Sequence, residues 1–224
     1  LVLLLLGAAC GVAYNQYGKR TEYKFVLISI AHSTMFALPY LIHGGVDAVL
    51  FMGTLAVFLW VMFQISVSGE IKDITTDEEN FMNKLGLKSV PLADFDTQRL
   101  KYVRGTATVY ATIVRVWLIV VCLGLAAYTG QAEATGANLP SAIILIIGGV
   151  SIAKTLDLIA AGVYNRQKRI ADMSLIEALT LAMFVLGFYP SLGVTASVAL
   201  IGGSVAWVYA LSKVMWTSRL APEV

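Results

Sequence analysis

Apolar runs long enough to cross a bilayer recur along most of this chain and leave few options for its fold. A helix needs about 20 residues to span the hydrocarbon layer. Such runs fall at 23–42, 48–69, 105–128, 139–164 and 193–211, with two shorter ones at 1–14 and 173–189. The chain is 58% hydrophobic and 13% charged, against roughly 25% charged in an ordinary soluble domain. The expectation is an all-α, polytopic transmembrane helix bundle of about seven spans. It forms a single transmembrane helical domain over 1–224, interrupted by one cap loop over 70–104. The first run has no Met, no basic flank and no A-x-A site, so it reads as a truncated span rather than a signal peptide. Cys10 and Cys122 both fall inside runs, where thiols behave as small apolar residues.

The basic residues sort by loop. Lys19, Arg20 and Lys24 share one loop, and Lys72, Lys84, Lys88, Arg99, Lys101 and Arg104 share the next alternate one. Arg166, Lys168 and Arg169 follow, then Lys213 and Arg219 near the C-terminus. The intervening loops 43–47, 129–138 and 190–192 contain neither Lys nor Arg. By the positive-inside rule the first set faces the cytoplasm, so the expected location is a multi-pass protein of the cell membrane with its acidic loop cytoplasmic. Nothing in the chain resembles a nucleic-acid-binding run, a Gly-rich phosphate loop, H-E-x-x-H or G-x-S-x-G.

The acidic loop carries the densest chemistry. After the uncharged run 48–67 come Glu70, Asp73 and Asp77 at offsets of zero, three and seven. If the helix continues through them, all three carboxylates share one face. Hard oxygen ligands on adjacent turns suit Mg²⁺, which keeps several waters and takes one or two protein carboxylates plus phosphate oxygens. The bland alternative is a solvated, negatively charged helix end. Two neighbours complete a candidate diphosphate site: Tyr14-Asn-Gln-Tyr-Gly-Lys-Arg20, with an aromatic at the membrane edge, and Gly86-Leu-Lys-Ser-Val-Pro91, a turn-prone hinge. A departing diphosphate needs its charge neutralised, and carboxylate-held metal with nearby cations does that. Taken singly, Tyr14 is an ordinary interfacial aromatic and Lys19 and Arg20 are topology determinants. Inside the spans, Arg115 lacks an obvious local partner, whereas Lys154 and Asp157 are spaced for a local ion pair.

An apolar helix ending in Asp-x-x-x-Asp and followed by Gly-x-Lys-Ser-x-Pro resembles the second aspartate-rich motif of the UbiA-type intramembrane prenyltransferases. Upstream, Tyr14 to Arg20 and the span containing Pro39 are similar to that family's Tyr…Lys-Arg loop and next helix, so the resemblance covers roughly residues 1–130. It implies a nine- or ten-helix bundle, truncated here, around a lipid-open cavity. It also implies Mg²⁺-dependent transfer of an isoprenyl group from a prenyl diphosphate to an aromatic or lipid-like acceptor within the membrane. Carried over by position, Asp73 and Asp77 hold metal, with Glu70 where the family often has another Asp. Lys19, Arg20 and Lys72 meet the diphosphate, and Tyr14 sits by the reacting carbon. The expected partners are the isoprenyl diphosphate, the acceptor, membrane lipids, and a partner chain or second copy; nucleic acid is not among them. The family's first motif, Asn-Asp-x-x-Asp-x-x-x-Asp, has no counterpart here, which motivates a second reading as a non-catalytic scaffold subunit. A third is a small transporter using Lys154 and Asp157.

Overall fold

A computed structural model of the chain describes residues 1–17, 23–75, 80–92, 98–132 and 138–216. Among them the fold is all-α and polytopic, and six helices are long and apolar enough to cross a membrane. This marks an integral membrane protein. The elements are α1 (Val2–Tyr17), α2 (Lys24–His43), α3 (Ala48–Phe63), a π-helical turn (Gln64–Gly69), α4 (Glu70–Lys72), α5 (Phe81–Lys84), β1 (Leu87–Pro91) and β2 (Gln98–Tyr102). Then come α6 (Thr106–Ala132), α7 (Asn138–Leu158), β3 (Gly162–Val163), α8 (Arg166–Gly187) and α9 (Tyr189–Trp216). With α1, a shorter apolar helix, the count matches the seven runs of the sequence.

The chain divides into two compact units, Leu1–Val121 with Ile159–Tyr164, and Cys122–Leu158 with Asn165–Val224. In the first, α2 packs on both α1 and α3. Helix α3 starts where Asp47 accepts a hydrogen bond from the Leu50 N–H at 2.9 Å while its other oxygen takes the Tyr40 hydroxyl at 2.7 Å, satisfying one of the orphan donors of a helix start. Helix α6 presents Val109, Ile113, Val116, Trp117 and Val120 outward and buries Ala111, Val114, Leu118 and Cys122. A helix facing lipid on one side and protein on the other divides its side chains in this way.

The cap contains a small antiparallel sheet in the order β1-β2-β3, where the sequence suggested only a loop. Its base is closed at Gly86, whose carbonyl accepts from the Val103 N–H at 2.7 Å. Gly86 has φ of +94°, and a Cβ there would stand 2.8 Å from the Arg104 backbone N and O. Both facts require glycine, for a side chain would meet backbone strain and backbone atoms that cannot swing aside. Gly86→Ala is expected to destabilise the hairpin by about 1–3 kcal/mol. The check is hydrogen exchange over Leu87–Pro91 and Gln98–Tyr102; unchanged protection there would refute it.

In the second unit α8 packs on α7 and α9, and Asn165 caps α8 by accepting from the Lys168 N–H at 2.9 Å. Helix α7 ends at Leu158, earlier than the apolar run suggested. Buried Arg169 donates to the carbonyls of Asp157 and Leu158, supplying the partners that terminal carbonyls lack. Helix α8 in turn starts earlier than its apolar run. Lys154 lies nearer to Asp172, at 3.3 Å, than to Asp157, at 4.0 Å, and Asp157 also meets Lys168 at 3.5 Å. The spacing-based pair is therefore the longest contact of a four-residue network.

Candidate functional site

Three chain segments reach the same end of the first unit: the C-terminal turn of α1, the first residue of α2, and the π-turn with α4. They enclose a cavity of about 220 Å³ lined by Tyr14, Lys24, Ile65, Gly69, Glu70, Lys72 and Asp73. Four of the residues singled out from the sequence, Tyr14, Glu70, Lys72 and Asp73, thus converge from positions nearly 60 apart in the chain. Lys19, Arg20 and Asp77 lie outside the described residues.

The expected helical row of carboxylates does not form among the described residues, because the helix stops at Lys72 and Asp73 takes φ −106°, ψ 9°. The stop has a physical cause in side chains that satisfy the last carbonyls. Asn80 Nδ2 donates to the Glu70 carbonyl at 3.0 Å, and the Tyr164 hydroxyl donates to the Lys72 carbonyl at 2.9 Å. Asn80 also begins a new helix, its Oδ1 accepting from the Asn83 N–H at 2.8 Å. Being only 2% exposed, Asn80 ties the end of the membrane helix to the start of the cap.

Glu70 faces a different task from Asp73. Its Oε1 pairs with Lys24 Nζ at 2.8 Å, its Oε2 accepts from the Phe81 N–H at 2.8 Å, and its side chain is 4% exposed. Each Glu70 oxygen thus already holds a partner within the protein. The Asp73 carboxylate is 48% exposed at the cavity edge, 3.7 Å from Lys72 Nζ. An accessible carboxylate of this kind fits a hydrated hard cation. Among the described residues no three His, Cys, Asp or Glu side chains form a metal-binding group.

Beside the cavity lies an aromatic cluster that the sequence reading missed. Phe81 packs on Phe25 at 4.8 Å, on Tyr110 at 5.2 Å and on Tyr23 at 6.4 Å between ring centroids. The π-turn re-aims Ser66 so that its Oγ meets the Tyr110 hydroxyl at 2.8 Å and donates to the Met62 carbonyl at 2.6 Å; such turns recur at functional sites. Lys24 was also missed as a site residue. Its signal was topological, since the first residue of one span and the last turn of the next, antiparallel span lie at one membrane level. Comparison with protein-family models, with curated proteins and with solved structures finds no match to this chain.

Proposed function

We propose that the first unit carries out Mg²⁺-dependent transfer of an isoprenyl group from a prenyl diphosphate to an aromatic or lipid-like acceptor within the membrane, as the resemblance to UbiA-type prenyltransferases implies. The observation that carries the reading is the cavity where Tyr14, Lys24, Lys72 and Asp73 meet at one end of three apolar helices. At about 220 Å³ it lies below the usual 300–1,000 Å³ of a whole-ligand pocket and matches a polar head with its apolar chain elsewhere. The Lys- and Arg-rich loops at this end support a cytoplasmic orientation for it, by the positive-inside rule.

In this reaction the allylic C–O bond breaks and its electron pair leaves with the diphosphate. The acceptor then bonds to the allylic carbon and releases a proton. Mg²⁺ would supply charge neutralisation for the leaving oxygens, held by Asp73 and, from the sequence, Asp77. Lys72, with Lys19 and Arg20 from the sequence, offers further positive charge. The Tyr14 ring face is suited to an allylic cation, because an aromatic quadrupole attracts positive charge. Lys24 keeps its ammonium beside the cavity while Glu70 holds it in place.

Asp73→Asn and Asp77→Asn are each expected to lower prenyl transfer by roughly 100-fold or more, with folding preserved. The assay is transfer from a radiolabelled prenyl diphosphate in reconstituted vesicles, and full activity in both variants rejects the reading. A second reading, a non-catalytic membrane scaffold subunit, is favoured by the engagement of both Glu70 oxygens, which leaves Asp73 as the accessible described carboxylate of the cavity. Tight Mg²⁺-dependent binding of a prenyl diphosphate analogue would count against it.

A further inference from the structure

Residues Ile159–Tyr164, between α7 and α8 in the chain, belong to the compact unit that holds the candidate site. Both ends of the segment are tied there. The Ile159 carbonyl accepts from the Tyr102 hydroxyl. Gly162 and Val163 pair with Leu100 and Arg99 of β2, and the Tyr164 N–H donates to the Gln98 carbonyl at 2.9 Å. Tyr164 thus has its backbone against the cap sheet. Its hydroxyl reaches the end of the membrane helix, donating to the Lys72 carbonyl at 2.9 Å, with the Ile71 carbonyl at 3.3 Å sharing the same proton.

The Lys72 carbonyl is one half of the planar peptide group that joins Lys72 to Asp73. Its direction sets the φ angle of Asp73, so a partner that holds this carbonyl also aims the Asp73 side chain. Asp73 stands at φ −106°, ψ 9°, near the sparsely allowed bridge region where many active-site residues sit. Such a conformation persists where the surrounding structure over-determines it. Asn80 holds the Glu70 carbonyl, two peptides earlier, and Tyr164 holds the peptide that adjoins Asp73. Charge does not enter. Replacing the hydroxyl by hydrogen leaves Lys24, Glu70, Lys72 and Asp73 as they are, and likewise Asp77, Glu78 and Glu79, which follow in the sequence.

We propose that Tyr164 is a positioning residue of the candidate site, a role that rests on the prenyl-transfer reading of that site. Its hydroxyl holds the Lys72–Asp73 peptide so that the Asp73 carboxylate is set for a hydrated Mg²⁺ and the diphosphate that comes with it. Losing a hydrogen bond that orients a metal-binding group from outside costs roughly 10–100-fold in metal affinity or activity.

The test is equilibrium dialysis of radiolabelled pyrophosphate against the full chain in nanodiscs over a series of Mg²⁺ concentrations. Tyr164→Phe is expected to raise the Mg²⁺ concentration for half-maximal binding by about tenfold. In the transfer assay it should raise the Mg²⁺ requirement in the same way, with the rate largely regained at saturating metal. Tyr102→Phe frees the Ile159 carbonyl at the other end of the same segment. It should loosen the segment and leave the Mg²⁺ dependence at the wild-type value. Hydrogen exchange over Leu87–Pro91 and Gln98–Tyr102 reports whether each variant keeps the sheet. An unaltered Mg²⁺ dependence in Tyr164→Phe overturns the proposal. An equal shift in Tyr102→Phe, or loss of sheet protection in Tyr164→Phe, assigns the hydroxyl to general stability and also overturns it. Absence of Mg²⁺-dependent pyrophosphate binding in the wild type is a different result: it removes the prenyl-transfer reading, and the positioning role with it.

Discussion

Lys24→Met is expected to lower the unfolding free energy of the protein in mixed micelles by about 3–5 kcal/mol, the cost of leaving a buried carboxylate without its cation. Glu70 is 4% exposed and Lys24 29% exposed, with 2.8 Å between them, so water can replace little of what the ammonium supplies. Glu70→Gln should cost less, because the amide oxygen can still accept from the Phe81 N–H. The double variant Lys24→Met/Glu70→Gln should regain much of the loss, since no buried charge remains. A coupling of about 1–3 kcal/mol between the two sites is therefore expected, and strictly additive effects would refute the structural role of the pair. The same variants separate the two tasks of the neighbouring acids. Glu70→Gln should leave the Mg²⁺ concentration dependence of any transfer activity unchanged while lowering stability. A shift in that dependence would return Glu70 to the metal site.

The sequence made the membrane helices legible because their signal is redundant. Twenty apolar residues in a row admit one backbone solution in lipid, and no single substitution blurs it. Helix ends were less legible. The 139–164 run continues apolar beyond Leu158, yet α7 stops there because Arg169, distant in sequence, takes its terminal carbonyls. The same holds at Lys72, where Asn80 and Tyr164 supply the partners. Periodicity counts which residues would share a face if the helix persisted; it is silent on a side chain that ends it from elsewhere.

The candidate site was legible as chemistry and less so as geometry. Tyr14, Lys72 and Asp73 reach one cavity, in keeping with their selection as polar residues at membrane-helix ends. Glu70 could not be told from Asp73 by residue type, since both are acids one turn apart. What divides them is burial: Glu70 points to the first turn of α2 and meets Lys24, whereas Asp73 stands after the helix stop with half its side chain in solvent. The cap sheet left a faint trace in Lys88-Ser-Val-Pro91, a short β-prone stretch before a break, overshadowed by the turn signals at Gly86 and Pro91. The cation at the centre of α6 was conspicuous in sequence, but its partner is an aromatic on another helix, and no local spacing rule finds such a pair.

Arg115→Ala is expected to destabilise the protein by about 3–5 kcal/mol, comparable to deleting a large buried aromatic. Arg115 is the tenth residue of α6 and fully buried, and its guanidinium carbon lies 3.7 Å from the centroid of the equally buried Phe63 ring. A charge at this depth is costly unless the surrounding protein replaces its hydration. A ring face does part of that, contributing about 2 kcal/mol when water is excluded. Arg115→Met restores volume without charge and should fall between wild type and Ala. Arg115→Lys should be worse than its charge suggests, because an ammonium holds its water more tightly and stacks less well than a planar guanidinium. The decisive measurement is the double-mutant cycle of Arg115→Met with Phe63→Leu. A coupling of about 0.5–2 kcal/mol assigns the buried cation to the ring. Additive losses would mean that the stack contributes nothing and that the cation is held by its other neighbours in the helix interior.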